Sequence, residues 1–164
     1  MHPMPHSRPR LISARPAVTA EIAARTGLDE AVLETLVHRF YAKVRLDPML
    51  GPVFAERITD WDPHLERMVA FWSSVALMTG RYHGAPVARH AGLPIGQAHF
   101  DRWLDLFRTT AREVCPPAGA NHVIERAERI ARSLRMAAAE ATRDRSAAPD
   151  LSGRPGHAGA HPAP

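Results

Sequence analysis

The sequence predicts an all-α domain, and three observations carry the prediction. Apolar residues recur at helical spacing through the centre of the chain. Period-2 alternation with β-branched enrichment is absent. The prolines sit in the two ends of the chain or at apparent element boundaries, as helices require. Residues 19–25 read as a short helix stopped at Gly27. Asp29 then caps a longer helix, in which Val32, Leu33, Leu36, Val37, Phe40, Tyr41 and Val44 share one face; it ends before Asp47-Pro48. A turn over 48–52 leads into a short helical piece over 53–58. Asp62 is the expected N-cap of the next helix, with Pro63 at its first position and Gly80 as its stop. A short segment over 86–91 precedes Gly92 and Pro94, and the last two helices run over 97–114 and 121–142.

A length of 164 residues fits one domain with tails. The Pro-rich ends have little to bury, so 1–18 and 145–164 are expected to be disordered tails around a domain over 19–144. No apolar run approaches the roughly 18–20 residues of a membrane span, which argues against a membrane protein. The N-terminal residues lack a secretory h-region, so a cytoplasmic protein is expected. A single cysteine, Cys115, excludes an internal disulfide and a Cys-rich zinc site. The formal charge of +4 resides in the ends: residues 19–142 balance fifteen bases against fifteen acids. A neutral body lacks the electrostatic footprint of a nucleic-acid binder, so no nucleic-acid partner is expected.

Candidate chemistry gathers on three helices and one helix end. On the helix after Pro63, the residues His64, Met68, Phe71, Val75 and Met78 form one stripe. His64 heads it, either packed with a nitrogen in water or aimed at a pocket. His90 ends the 86–91 segment, where it suits a helix dipole or a metal whose ligand ring is oriented by a backbone carbonyl. Trp103 lies on the stripe of Phe100, Leu104, Phe107, Ala111 and Val114, and Tyr41 lies beside Val37 and Val44. Tyr41, His64 and Trp103 would bring three hydrogen-bond donors into an apolar interior, where each needs a partner. A small helical domain has little use for such a set without a polar ligand. G-x-S-x-G, H-E-x-x-H, P-loop and C-x-x-C motifs are all absent, which counts against a conventional hydrolase.

Three segments carry a family resemblance: FYAKVRLDPMLGPVF at 40–54, DWDPHLERMVAFWSSVALMTGRYHGAPVARH at 60–90 and HFDRWLDLF at 99–107. In motif order and spacing they resemble the group III truncated haemoglobins of bacteria, over about residues 20–142. The resemblance implies a truncated globin fold, a two-layer helical sandwich enclosing haem b (iron protoporphyrin IX). His90 matches the proximal histidine on the haem iron. Tyr41, His64 and Trp103 match the distal tyrosine, histidine and tryptophan, and Phe54 matches a phenylalanine that wedges the haem. Met68 and Phe71 fall on the distal face, while Tyr82 and Val87 fall on the proximal side. Arg67 and Arg89 are propionate partners by position, and Ile95 is a contact from the variable loop over 93–98.

By the same resemblance the ligands are dioxygen, nitric oxide and carbon monoxide, held by a monomer. Hydrogen bonds from Tyr41 and Trp103, with His64 joining them or gating entry, suit tight dioxygen capture or redox chemistry. The rival reading is an enzyme, a nitric oxide dioxygenase or a peroxidase-like catalyst. It would draw electrons from a separate reductase, because the chain has no room for a reductase domain.

Overall fold

The computed structural model describes residues 13–84 and 95–147, and every described element is helical. These are α1 (Pro16–Thr26), α2 (Glu30–Leu46), α3 (Leu50–Arg57), α4 (Trp61–Leu77), α5 (Gln97–Val114) and α6 (Pro117–Ala147). The expected segment over 86–91 lies outside the described residues, as do residues 1–12 and 148–164 of the two expected tails.

Local chemistry explains most boundaries. Gly27 ends α1 in a left-handed conformation (φ 73°), its N–H bonded to Ala23 O. The Asp29 carboxylate accepts from Val32 N at 2.9 Å and opens α2. Asp47 has the same task for α3, accepting from Met49 N at 3.1 Å and Leu50 N at 3.0 Å. It thereby starts α3 three residues before the expected 53–58 piece.

Three boundaries depart further from expectation. α1 begins at Pro16 rather than residue 19, because Ala14 N donates to Thr79 O and Thr19 Oγ1 to Leu77 O, pinning the segment onto the end of α4. The N-cap of α4 is Asp60 rather than Asp62, so Pro63 is its third residue. That position suits proline as well as the first, since no first-turn N–H has an intrahelical partner. α6 begins at Pro117, with Ala120 N bonded to Pro116 O at 2.8 Å, and runs 31 residues. α4 stops before Gly80, at Met78 in a left-handed conformation (φ 58°), and Met78 is exposed rather than part of the apolar stripe.

The helices pack as two pairs, α2 with α4 and α5 with α6, joined through α2–α5 and α4–α6 contacts; α1 closes the end against α4 and α6. The core holds Leu33, Leu36, Val37, Phe40 and Val44 of α2, Trp72 and Ala76 of α4, Phe107 and Ala111 of α5, and Val123 and Ala127 of α6. Phe107 stacks on Trp72 at 4.7 Å and on Trp103 at 5.5 Å, while Phe40 meets Trp103 and Tyr41 edge-on at 5.4 and 5.0 Å. A part-buried polar network borders the apolar packing. Ser73 bonds to Glu30 and Thr79, and Arg81 pairs with Glu30 at 2.7 Å, tying the start of α2 to the end of α4.

Candidate functional site

Beside this core lies a cavity of about 400 Å³, within the roughly 300–1,000 Å³ of cofactor pockets. Nine of the residues singled out from the sequence line it: Tyr41, Phe54, His64, Arg67, Met68, Phe71, Tyr82, Ile95 and Trp103. The remaining three, Val87, Arg89 and His90, lie outside the described residues.

Each wall follows from a helix face. One position beyond Phe40, α2 contributes Tyr41, which is both a core residue and part of the cavity lining. The stripe of α4 supplies His64, Met68 and Phe71 at spacings of four and three, which stack on one face. Tyr82 follows α4, its N–H donated to Ser74 Oγ at 2.8 Å and its ring edge-on to Phe71 at 5.2 Å. α5 presents Trp103, whose ring packs edge-on against Phe40 and stacks on Phe107.

Tyr41 and His64 meet edge-on at 5.2 Å, so two hydrogen-bonding side chains adjoin on the lining of a largely apolar chamber. Burial raises the Tyr41 phenol well above its ordinary pKa, so it stays a neutral O–H donor across the physiological range. His64 is half-buried, with Nε2 shut off from solvent.

Sequence reasoning missed several lining residues. Arg57, at the end of α3, joins Arg67 on the lining; both are exposed, so they stand where the cavity opens to water. His99 and Phe100, from the first turn of α5, line the cavity too, with His99 Nδ1 held by Gly96 N–H at 3.1 Å. Ile130, Ala131 and Leu134 of α6 complete a wall. Their spacing places them on one helix face, the signal that could have found them. Arg57 had no such signal, because its position depends on where α3 ends.

Among the described residues, no group of three or more His, Cys, Asp or Glu side chains could hold a metal ion. The cavity instead offers apolar and aromatic walls, hydrogen-bond donors at one corner and guanidinium groups at its edge. That donor set fits a flat apolar ring system with anionic edge groups and an interior polar ligand. Haem has this character, and the residues present fit it.

A helical sandwich around such a chamber is the architecture of a globin. A family model described as bacterial-like globin matches residues 24–143. A group 3 truncated haemoglobin of Campylobacter jejuni is 33% identical over 109 residues, covering 63% of this chain and 86% of that protein. The crystal structure of a group III truncated haemoglobin from Campylobacter jejuni superposes with a TM-score of 0.63 at 32% identity, covering 66% of this chain and 90% of that one. A thermostable haemoglobin from the actinobacterium Thermobifida fusca superposes with a TM-score of 0.57 at 25% identity, covering 69% and 94%. The chain belongs to the bacterial globin family, and within it to the group III truncated haemoglobins. With that membership come a haem cofactor and haem-based binding of small gaseous ligands.

Proposed function

We propose that this globin holds dioxygen tightly, on haem b with His90 as the protein's ligand to the iron, and that it serves capture or redox chemistry rather than bulk transport. The observation that supports this most is the convergence of Tyr41, His64 and Trp103 on one apolar cavity. Haem, when bound, supplies an iron centre for a diatomic ligand.

The rest of the chemistry belongs to the chain. Tyr41 Oη–H and Trp103 Nε1–H donate to the ligand, and their rings are held by Phe40 so that little reorganisation accompanies binding. His64 stands beside Tyr41 and acts as a further donor or as a gate. Phe54, Met68 and Phe71 keep water from the chamber, which strengthens every hydrogen bond within it. Arg67 and Arg57 neutralise the carboxylate edge of the cofactor, and Tyr82 and Ile95 close the remaining walls. Val87 and Arg89 share the sequence segment of His90, and by the family's motif Val87 would line the proximal side and Arg89 would pair with a propionate.

The test is an absorption spectrum of the purified protein beside His90→Gly, in ferric, ferrous and carbon monoxide forms. A Soret band in the wild type, lost or altered in the variant, is the expected result. A wild type with no Soret band even after haemin is added would sink the proposal.

A further inference from the structure

Tyr41 and His64 do not meet alone. Trp61, the first residue of α4, completes a triangle of rings with them. Its ring lies 5.6 Å from that of His64, at 90°, and 5.9 Å from that of Tyr41, at 55°. The third side of the triangle is the 5.2 Å contact between Tyr41 and His64. Trp61 is not among the cavity-lining residues, but it contacts these two, which are. Arg45, exposed near the end of α2, places its guanidinium carbon 4.6 Å from the Trp61 ring centroid. A charged group on the surface is thus linked through one indole to the two distal side chains.

We propose that Trp61 is the positioning residue that fixes the orientation of His64 and Tyr41 toward the ligand, with Arg45 holding the indole in place from outside. The inference rests on the distal assignment made above. Its physical basis is direct. An imidazole near the start of a helix has two free side-chain torsions, and helix geometry alone leaves several rotamers open. A perpendicular indole and a perpendicular phenol ring, themselves in contact, both pack against the imidazole, and each disfavours rotamers that would break its contact. Edge-to-face pairs of this kind shift conformer ratios by about 2- to 10-fold each, and a guanidinium over an indole adds a similar factor. The arrangement predicts that Trp61 tunes ligand binding without touching the ligand.

The experiment is infrared spectroscopy of the carbon monoxide form of the haem-loaded protein. The C–O stretch reports how the distal donors face the ligand, independently of turnover. Wild type, Trp61→Leu, Trp61→Phe, Arg45→Gln and His64→Leu are compared, each first checked for a Soret band and for its melting temperature. The expected result is one dominant band in the wild type. In Trp61→Leu intensity moves about 2- to 10-fold toward the band that His64→Leu shows, and Trp61→Phe restores most of the wild-type pattern. Arg45→Gln lies on the surface and keeps the fold, and it gives a smaller shift in the same direction. Wild-type bands in Trp61→Leu and Arg45→Gln, beside an altered spectrum in His64→Leu, overturn the inference while leaving the distal assignment standing. An unaltered spectrum in His64→Leu overturns the assignment itself and with it the role of Trp61.

Discussion

Replacing Asp47 by alanine should destabilise the fold by about 2–4 kcal/mol, and the geometry says where the loss arises. The Asp47 side chain is 2% exposed. It accepts from Leu50 N at 3.0 Å, Met49 N at 3.1 Å and Arg102 Nε at 2.7 Å. Losing a cap of this kind costs roughly 0.5–2 kcal/mol, and a buried N–H left without an acceptor costs about 1–3 kcal/mol, the two overlapping in part. The ion pair adds little, because the Arg102 side chain is 45% exposed and solvent screens it to about 0.2–1 kcal/mol. Arg102→Gln should therefore cost under about 1 kcal/mol, and Asp47→Asn, which keeps one acceptor, about 1–2 kcal/mol.

Thermal unfolding followed by circular dichroism, at equal haem loading, separates these variants. A domain of this size moves by about 3–4 °C per kcal/mol, so Asp47→Ala should melt roughly 6–16 °C below the wild type. Burial pushes the Asp47 carboxyl up, but the Leu50 N–H, the Arg102 side chain and the Met49 N–H outweigh it, so its pKa falls below the ordinary value. A depressed folded-state pKa contributes stability that is present above the unfolded value, near 3.9, and is lost as pH falls through the folded one. The gap between wild type and Asp47→Ala should thus hold from about pH 7 to pH 5 and narrow below about pH 4. Equal losses in Asp47→Ala and Arg102→Gln would refute the reasoning, since the cap and not the ion pair is held responsible.

Three further outcomes are expected. Tyr41→Phe combined with Trp103→Leu should speed dioxygen release by a factor of roughly 10² to 10⁴ in stopped-flow measurements, from two charge-assisted hydrogen bonds of about 1.5–3 kcal/mol each; an unchanged rate would remove both residues from the distal role. His122, near Ala76 O at 2.9 Å, titrates below its ordinary value, chiefly through burial and with help from the charges of Arg126 and Arg25. The unfolded chain therefore takes up a proton first, and wild type should lose stability as pH falls below about 6.5 to a degree that His122→Asn does not, as melts across that range will show. Gly51→Ala would set a Cβ 2.9 Å from Arg45 O and should cost about 1–3 kcal/mol in urea unfolding, whereas Gly96→Ala meets nothing within 4 Å among the described residues and should cost less.

The helical class and the order of elements were legible because proline, glycine and aspartate mark helix ends by local chemistry. Asp29 and Gly27 act alone, so their positions could be read directly. Pro63 misled by two residues because proline is tolerated throughout a first turn, and Pro116-Pro117 read as a gap where Pro117 begins a helix. Among the site residues, those on apolar stripes or in the family's motifs came into view together, since a helix face is a property of spacing. Trp61 and Arg57 did not. Trp61 sits off the stripe that His64 heads, and its importance comes from Tyr41 of another helix. The lining role of Arg57 arises where α3 stops, at the C-cap Ile58.

Core and site in this protein are built from the same side chains. Phe40 touches Tyr41, Trp103 and Phe107, so one buried ring contacts both principal donors and the stack behind them. Around that ring, α2 and α5 are tied at two further points, Asp47 to Arg102 and Lys43 to Glu113 at 2.8 Å. Of the three, the surface pair contributes least, since Lys43 and Glu113 are 32% and 48% exposed. The separation of the Tyr41 hydroxyl from the Trp103 indole is therefore set mainly by apolar packing, which tolerates little change in volume. On the proposed distal assignment, a close-packed core is the means by which so small a domain would hold two neutral donors beside one cavity.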